Sequence, residues 1–139
     1  MSQTATTMTA RRDTFLRTVA ERRSLMGILN VTPDSFSDGG KFAGRDAAVA
    51  QAKKLVVDGA DIVDVGAEST RPGHTPITAE EEIRRLAPLL DALLAEVDAP
   101  FSIDTYKAET ARYAVGRGVC VINDIWGLQR DPAMADAVA

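Results

Sequence analysis

An α/β fold built on a parallel sheet is predicted by three features of the 139-residue sequence. Four short apolar runs alternate with longer amphipathic segments, no hairpin turn joins two runs directly, and each run closes on Asn, Gly or Asp. Parallel strands need crossovers, which the intervening segments are long enough to supply as helices, and the strands of such a sheet are expected to be buried on both faces.

The elements follow in chain order. Met1 to Thr9 is uncharged and rich in Thr, a frayed tail; Ala10 to Arg23 is a short docking helix with Phe15, Leu16 and Val19 along one side. Asp13 and Glu21 interrupt its arginines, which argues against a transit peptide. Residues 1–24 are therefore read as tail and helix, and 25–139 as the domain. Leu25-Met-Gly-Ile-Leu-Asn30 is the first strand. After a polar loop containing Gly39 and Gly40, Asp46 is placed as the N-cap of a helix carrying Val49, Ala52 and Val56, with Gly59 as its left-handed stop. Ile62-Val-Asp-Val-Gly66 is the second strand. A second polar loop, Ala67 to Ile77, leads to the capping box Thr78-Ala-Glu-Glu81 and a helix striped by Ile83, Leu86, Leu90, Leu93 and Val97. Pro88 removes one hydrogen bond there, so a bend near Arg84 to Pro88 is expected instead of a break. Phe101-Ser-Ile-Asp104 is the third strand, Thr105 to about Val115 a helix closed by Gly116 or Gly118, and Val119-Cys-Val-Ile-Asn123 a fourth buried strand. Asp131 at N-cap and Pro132 at N1 open a fourth crossover helix.

Composition narrows the function classes. With 45% hydrophobic and 26% charged residues the chain has the balance of one soluble domain. No apolar run is long enough to span a bilayer, and the N-terminal residues lack the apolar block of a secretory signal, so a cytoplasmic protein without a membrane partner is expected. Sixteen Lys and Arg lie scattered among twenty Asp and Glu, for a net charge of −4, which gives nucleic-acid binding no basic surface. Cys120 stands alone, so disulfides and thiolate metal sites are excluded and the thiol is expected to be buried and inert.

A closed eight-stranded (β/α) barrel takes roughly 250 residues. Four βα units therefore amount to the first half of such a barrel, ending within the fourth helix. Strand edges built for absent neighbours would invite dimerisation or aggregation, and a homodimer is one expected outcome.

In either an open sheet or a barrel, ligand chemistry sits at the carboxyl ends of the strands. Asn30, Asp104 and Asn123 close three of the runs there. Any one alone reads as a turn former, but the three together, beside two long loops, suggest a small-molecule site in which a carboxylate and amides read the edge of a planar heterocycle. Gly66-Ala-Glu-Ser-Thr-Arg-Pro-Gly73 is either an anion-binding loop or a solvated turn with a surface arginine. His74 beside it reads as an exposed loop histidine. In Asn30-Val-Thr-Pro-Asp-Ser-Phe-Ser-Asp-Gly-Gly40, Asn30, Asp34 and Asp38 offer oxygen ligands for a hard cation such as Mg²⁺, and Phe36 is either a staple onto the domain or a lid over an aromatic ligand.

These two loop sequences, followed by Ser102-Ile-Asp-Thr105 and Ile122-Asn-Asp124, resemble the successive signatures of the dihydropteroate synthase family, in order and at matching strand ends. The resemblance runs from about Leu25 to the C-terminus. It implies a pterin-binding TIM barrel that joins 6-hydroxymethyl-7,8-dihydropterin pyrophosphate to p-aminobenzoate and releases pyrophosphate in folate biosynthesis. Carried over by position, it makes Asn30 the Mg²⁺ ligand and Asp104 and Asn123 the grip on the pterin ring, with Ile125 packed beside it. Thr70 and Arg71 would contact substrate, with Arg71 and Asp38 catalytic, the latter near a developing pterin methylene cation. Pro33, Phe36 and Pro72 would shape the p-aminobenzoate pocket.

The sequence departs from the family's pattern at Ala67, where many members carry a second glycine, and it lacks a counterpart of the family's later Asp, Ser-Arg-Lys and Arg-x-His segments. Little synthase activity is therefore expected of the 139 residues alone. Two alternatives remain: the pterin-binding module of a corrinoid methyltransferase, which has no pyrophosphate to hold, and a noncatalytic half-barrel.

Overall fold

The computed structural model describes residues 3–31, 40–69 and 72–139. In chain order the elements are α1 (Gln3–Glu21), β1 (Met26–Asn30), α2 (Gly40–Val57), β2 (Ile62–Gly66), α3 (Ala79–Glu96), β3 (Phe101–Asp104), α4 (Ala108–Arg117), β4 (Val121–Asn123) and α5 (Met134–Val138). The strands form one sheet in the order β1-β2-β3-β4, and every pair is parallel. This is the predicted α/β architecture. None of the described helices is long and apolar enough to cross a membrane.

Strand register separates the sheet into two faces. Leu29, Val63, Val65, Phe101 and Ile103 pack with Ala48, Val49 and Ala52 of α2 and with Leu86, Leu90 and Leu93 of α3 in the apolar core. The residues between them, Ile28, Asp64, Ser102 and Val121 in one row and Asn30, Gly66, Asp104 and Asn123 in the next, take the other face. The expectation of strands buried on both faces holds for β2 but fails for β1, where Ile28 is 54% exposed, and β4 is only half-buried. The helical layer covers one face, and β1 and β4 are the outer strands.

Local signals account for most boundaries. The Thr78 hydroxyl accepts the Glu81 N–H at 3.1 Å and caps α3, but the Glu81 carboxylate turns to Arg84 and Arg85 instead of closing the capping box. The helix runs unbroken through the exposed Pro88. Gly59 and Gly118, at φ 112° and 110°, end α2 and α4 in Schellman turns: Ala60 N–H reaches Leu55 O at 2.9 Å, and Val119 N–H reaches Ala114 O at 3.1 Å.

Other boundaries correct the sequence reading. α1 begins at Gln3, within the expected tail, and Leu16 and Val19 are 58% and 51% exposed; its anchor is Arg11, whose guanidinium donates to Leu94 O and Val97 O at the end of α3. α2 begins at Gly40, so Asp46 lies inside the helix beside Arg45 and caps nothing. β4 starts at Val121, because Val119 is used in the α4 stop. α4 starts at Ala108: the Thr105 hydroxyl accepts the Lys107 N–H at 3.2 Å, and Asp131 Oδ2 accepts the Ala108 N–H at 2.8 Å from across the fold. The other Asp131 oxygen accepts the Ala133 N–H, in a turn that precedes α5.

At Gly27 the sheet comes close to the end of α2. A Cβ there would stand 3.1 Å from both Ala60 Cβ and Leu55 Cβ. Gly27→Ala is therefore expected to push the end of α2 outward and cost about 1–3 kcal/mol. Urea unfolding would measure this, and an unchanged midpoint would contradict the tight approach.

Candidate ligand site at the carboxyl ends of the strands

The last residues of four parallel strands make the site. Asn30 pairs with Gly66, and Asp104 with Asn123, across their ladders. Gly66 opens the space between the flanking side chains: a Cβ on it would lie 3.7 Å from Asn30 Oδ1 and 3.7 Å from Asp104 Oδ2. A side chain of any length at 66 would fill the gap that these two oxygens border.

A second polar row stands one step deeper on the same face. Asp64, 2% exposed, accepts a hydrogen bond from the Ser102 hydroxyl on one oxygen, and on the other accepts Asn123 Nδ2 at 3.2 Å. Asp104 feels the deeper row and the acids around it. Burial, followed by the charges of Asp64, Glu82, Asp124 and Glu68, pushes its carboxyl up to about 6.

Behind Asp104 lies a charged cluster joining the segment after β2 to α3 and to the start of α4. Lys107 Nζ pairs with Glu68 and, at 3.2 Å, with Glu82, whose side chains are 5% and 1% exposed. Thr105 and Thr110 donate to Glu82 at 3.1 and 2.8 Å, and Tyr106 donates to Glu68 at 3.1 Å. Burial raises the Glu68 carboxyl, but Lys107, Tyr106 and His74 outweigh it and hold it below the usual range. His74 is therefore not simply exposed, as expected from sequence; it is half-buried, with Nε2 3.3 Å from Glu68. Arg85 reinforces the same segment by donating to Ala67 O at 3.1 Å.

After β4, Asp124 accepts the N–H groups of Trp126 and Leu128, both at 2.9 Å, in a tight turn where Leu128 takes φ 66°. Arg130 lies over the rings of Tyr106 and Trp126, 4.5 and 4.9 Å from their centroids.

Of the residues expected from sequence, Asn30, Asp104 and Asn123 share this row. Ile125 follows it in the chain, 57% exposed, and Pro72 is exposed in the turn closed by Gly73. Pro33, Asp34, Phe36, Asp38, Thr70 and Arg71 lie outside the described residues. Cys120 is half-buried and donates to Phe101 O at 3.6 Å; burial raises its thiol, in keeping with inertness. Sequence reasoning missed Asp64, Ser102, Glu68, Glu82 and Lys107. For the first two a signal existed, since a polar residue two positions before a strand end shares the face of that end.

Among the described residues no group of three or more His, Cys, Asp and Glu gathers for a metal. The donors present are nonetheless compatible with a hard cation that keeps most of its waters: an exposed amide oxygen on Asn30, facing a carboxylate oxygen across the Gly66 gap.

Comparison with known proteins agrees with this arrangement. Residues 26–139 match the family model described as pterin binding enzyme. A dihydropteroate synthase of Clostridium beijerinckii is 53% identical over 121 residues, which is 87% of this chain and 45% of that protein. One from Bacillus subtilis is 50% identical over 119 residues, covering 86% and 42%. The solved dihydropteroate synthase of Clostridium difficile, determined in the presence of pteroic acid, superposes with a TM-score of 0.81 at 53% identity over 85% of this chain and 45% of that one. The chain thus spans about half the length of the curated relatives it matches, and its four strands and their helices correspond to the N-terminal part of their barrel.

Proposed function

Because the chain belongs to the pterin-binding enzyme family, we propose that residues 25–139 hold the pterin substrate in the dihydropteroate synthase reaction. There the nitrogen of p-aminobenzoate bonds to the methylene carbon of 6-hydroxymethyl-7,8-dihydropterin pyrophosphate, the carbon–oxygen bond to pyrophosphate breaks, and the nitrogen gives up a proton. The observation that carries this reading is the single row of Asn30, Gly66, Asp104 and Asn123, with the Asn30 and Asp104 oxygens bordering the gap at Gly66 and Asn123 paired beside Asp104. A carboxyl and an amide side by side suit a flat heterocycle with several polar atoms on one edge, and Gly66 leaves room for its plane.

In this reading Asp104 and Asn123 grip the ring and Ile125 lies against it. Thr70 and Arg71 contact the substrate, and Asp38 stands near the electron-poor methylene. Pro33, Phe36 and Pro72 surround the arylamine. Asn30 would hold Mg²⁺, which when bound offsets charge on the departing pyrophosphate. The reaction asks for no protein nucleophile, in keeping with the raised thiol of Cys120. The partners are these small molecules, without nucleic acid, as the dispersed charge suggests. The same reading places the protein in the cytoplasm and away from membranes. The outer edges of β1 and β4 are where a second copy would add in a homodimer.

Calorimetric titration of 6-hydroxymethylpterin into the chain tests the proposal. Pyrophosphate with Mg²⁺ is expected to tighten pterin binding by about tenfold, and Asn30→Ala to remove that gain while leaving binding without the salt unchanged. Pterin binding indifferent to pyrophosphate and Mg²⁺ would favour the methyltransferase module, and no pterin binding would remove the proposal.

A further inference from the structure

The strand tips can grip a ring only if their amides face it the right way, and Asn123 is held from behind. Its neighbours Asp64 and Ser102 are 2% and 0% exposed, and register places them one row deeper on the face that carries Asn123. The Ser102 hydroxyl spends its proton on one Asp64 oxygen, and the other stands 3.2 Å from Asn123 Nδ2. A carboxylate so placed accepts and the amide NH₂ donates. The reverse flip would set two oxygens against each other in a buried space, at the cost of the hydrogen bond and with added repulsion.

We propose that the Asp64–Ser102 pair is a positioning device that keeps the Asn123 amide oxygen turned to the mouth of the site. The pair thereby makes the site selective for heterocycles that present N–H donors. This deepens the pterin reading and rests on it. With the amide oxygen of Asn123 and the carboxyl of Asp104 side by side, the row offers acceptors and calls for donors on the ligand. A pterin carries an amino group and a ring N–H on its pyrimidine edge. Lumazine has a carbonyl oxygen in place of that amino group and a hydrogen on the adjoining ring nitrogen, so it sets an acceptor against acceptors at the amino position while keeping ring N–H groups.

The test compares pterin with lumazine by calorimetry, in the wild-type chain and in two variants. Wild type is expected to prefer pterin. In Asp64→Asn the new amide both donates and accepts, so Asn123 is free to take either flip, and the preference is expected to shrink by about tenfold. Removing a negative charge beside Asp104 acts on both ligands alike, which is why the ratio is the quantity to read. Ser102→Ala leaves the carboxylate but frees its other oxygen and loosens its hold on Asn123, so it is expected to shrink the ratio by a few-fold, less than Asp64→Asn does. A ratio in Asp64→Asn equal to wild type, with pterin still bound, overturns the inference and spares the pterin reading. Absence of pterin binding in wild type overturns the pterin reading and, with it, the selectivity. The orientation of Asn123 is checked without ligand by the side-chain NH₂ resonances in ¹⁵N-edited NMR. These are expected to move in Asp64→Asn, and unmoved resonances overturn the orientation as well.

Discussion

Lys107→Met is expected to lower the unfolding free energy of the chain by about 3–5 kcal/mol, because it strips the shared ammonium from two buried carboxylates. Glu68 and Glu82 are 5% and 1% exposed and both face Lys107 Nζ. The hydroxyls of Tyr106, Thr105 and Thr110 satisfy further lone pairs but bring no positive charge. For a domain whose whole stability is on the order of 5–15 kcal/mol, a loss of this size leaves much of the population unfolded or loosely packed at neutral pH. Adding Glu82→Gln to Lys107→Met is expected to recover part of the loss, since the amide oxygen still accepts from the threonines and one buried charge is gone. Urea unfolding followed by circular dichroism reads both variants, and a loss below about 1 kcal/mol in Lys107→Met would show that the cluster is worth no more than a surface ion pair.

The dependence on acidity provides an independent check. In the wild type Glu68 is held below its usual range, so its contribution is present above its unfolded value and is lost as pH falls through the lower folded one. Without Lys107 the upward push of burial is opposed only by Tyr106 and His74, so Lys107→Met is expected to lose less stability on acidification over the same range than the wild type does. The cluster has reach beyond stability. It fastens residues 67–69, which lead into Thr70 and Arg71, to the segment just past Asp104.

Asp104→Asn is expected to do two opposite things: stabilise the chain at pH 7 and abolish most of its pterin binding. The carboxyl is pushed from 3.8 up to about 6, first by burial and then by Asp64, Glu82, Asp124 and Glu68. A raised acid binds more protons folded than unfolded between those values, so stability falls as pH rises from about 4 to about 6 and stays lower above. At full weight the displacement corresponds to about 3 kcal/mol, and exposure of the half-buried group to water reduces this to about 1–2 kcal/mol. The amide removes that burden, so the gain should show at pH 7 and vanish near pH 4. Pterin affinity is expected to fall by at least about tenfold with the loss of a charged acceptor. Paired unfolding curves at the two pH values and one titration decide it. A variant that is less stable at pH 7, or one that binds pterin as wild type does, contradicts this account.

Such a trade is the mark of a residue placed for binding, and it was visible in the sequence as an acid closing an apolar run. Asn30 and Asn123 were visible for the same reason. Asp64 and Ser102 share the parity of those strand ends, a signal that was present but passed over, because a polar residue inside Ile-Val-Asp-Val-Gly or Phe-Ser-Ile-Asp looks like a flaw in a strand expected to be buried on both faces. Glu82 was hidden differently. Acids in the first turn of α3 favour the helix end wherever they point, and the buried one, Glu82, is paired with Lys107, far along the chain. The helix stops at Gly59 and Gly118 and the cap at Thr78 were local and legible. The start of α2 was not, since two glycines and a lysine suggest a loop, and packing of Ala48, Val49 and Ala52 against the sheet overrides that preference.

The two-faced sheet also governs which length changes the chain can survive. Each strand alternates between helical layer and site, so deleting one residue from β3 ahead of Asp104 would rotate its carboxyl into the apolar layer and bring Thr105 to the mouth in its place. The strands therefore act as rulers whose residue count is fixed. Insertions that enlarge a loop leave that measure untouched, and variation in this architecture is thus channelled into the connections while the row of tips stays where it is.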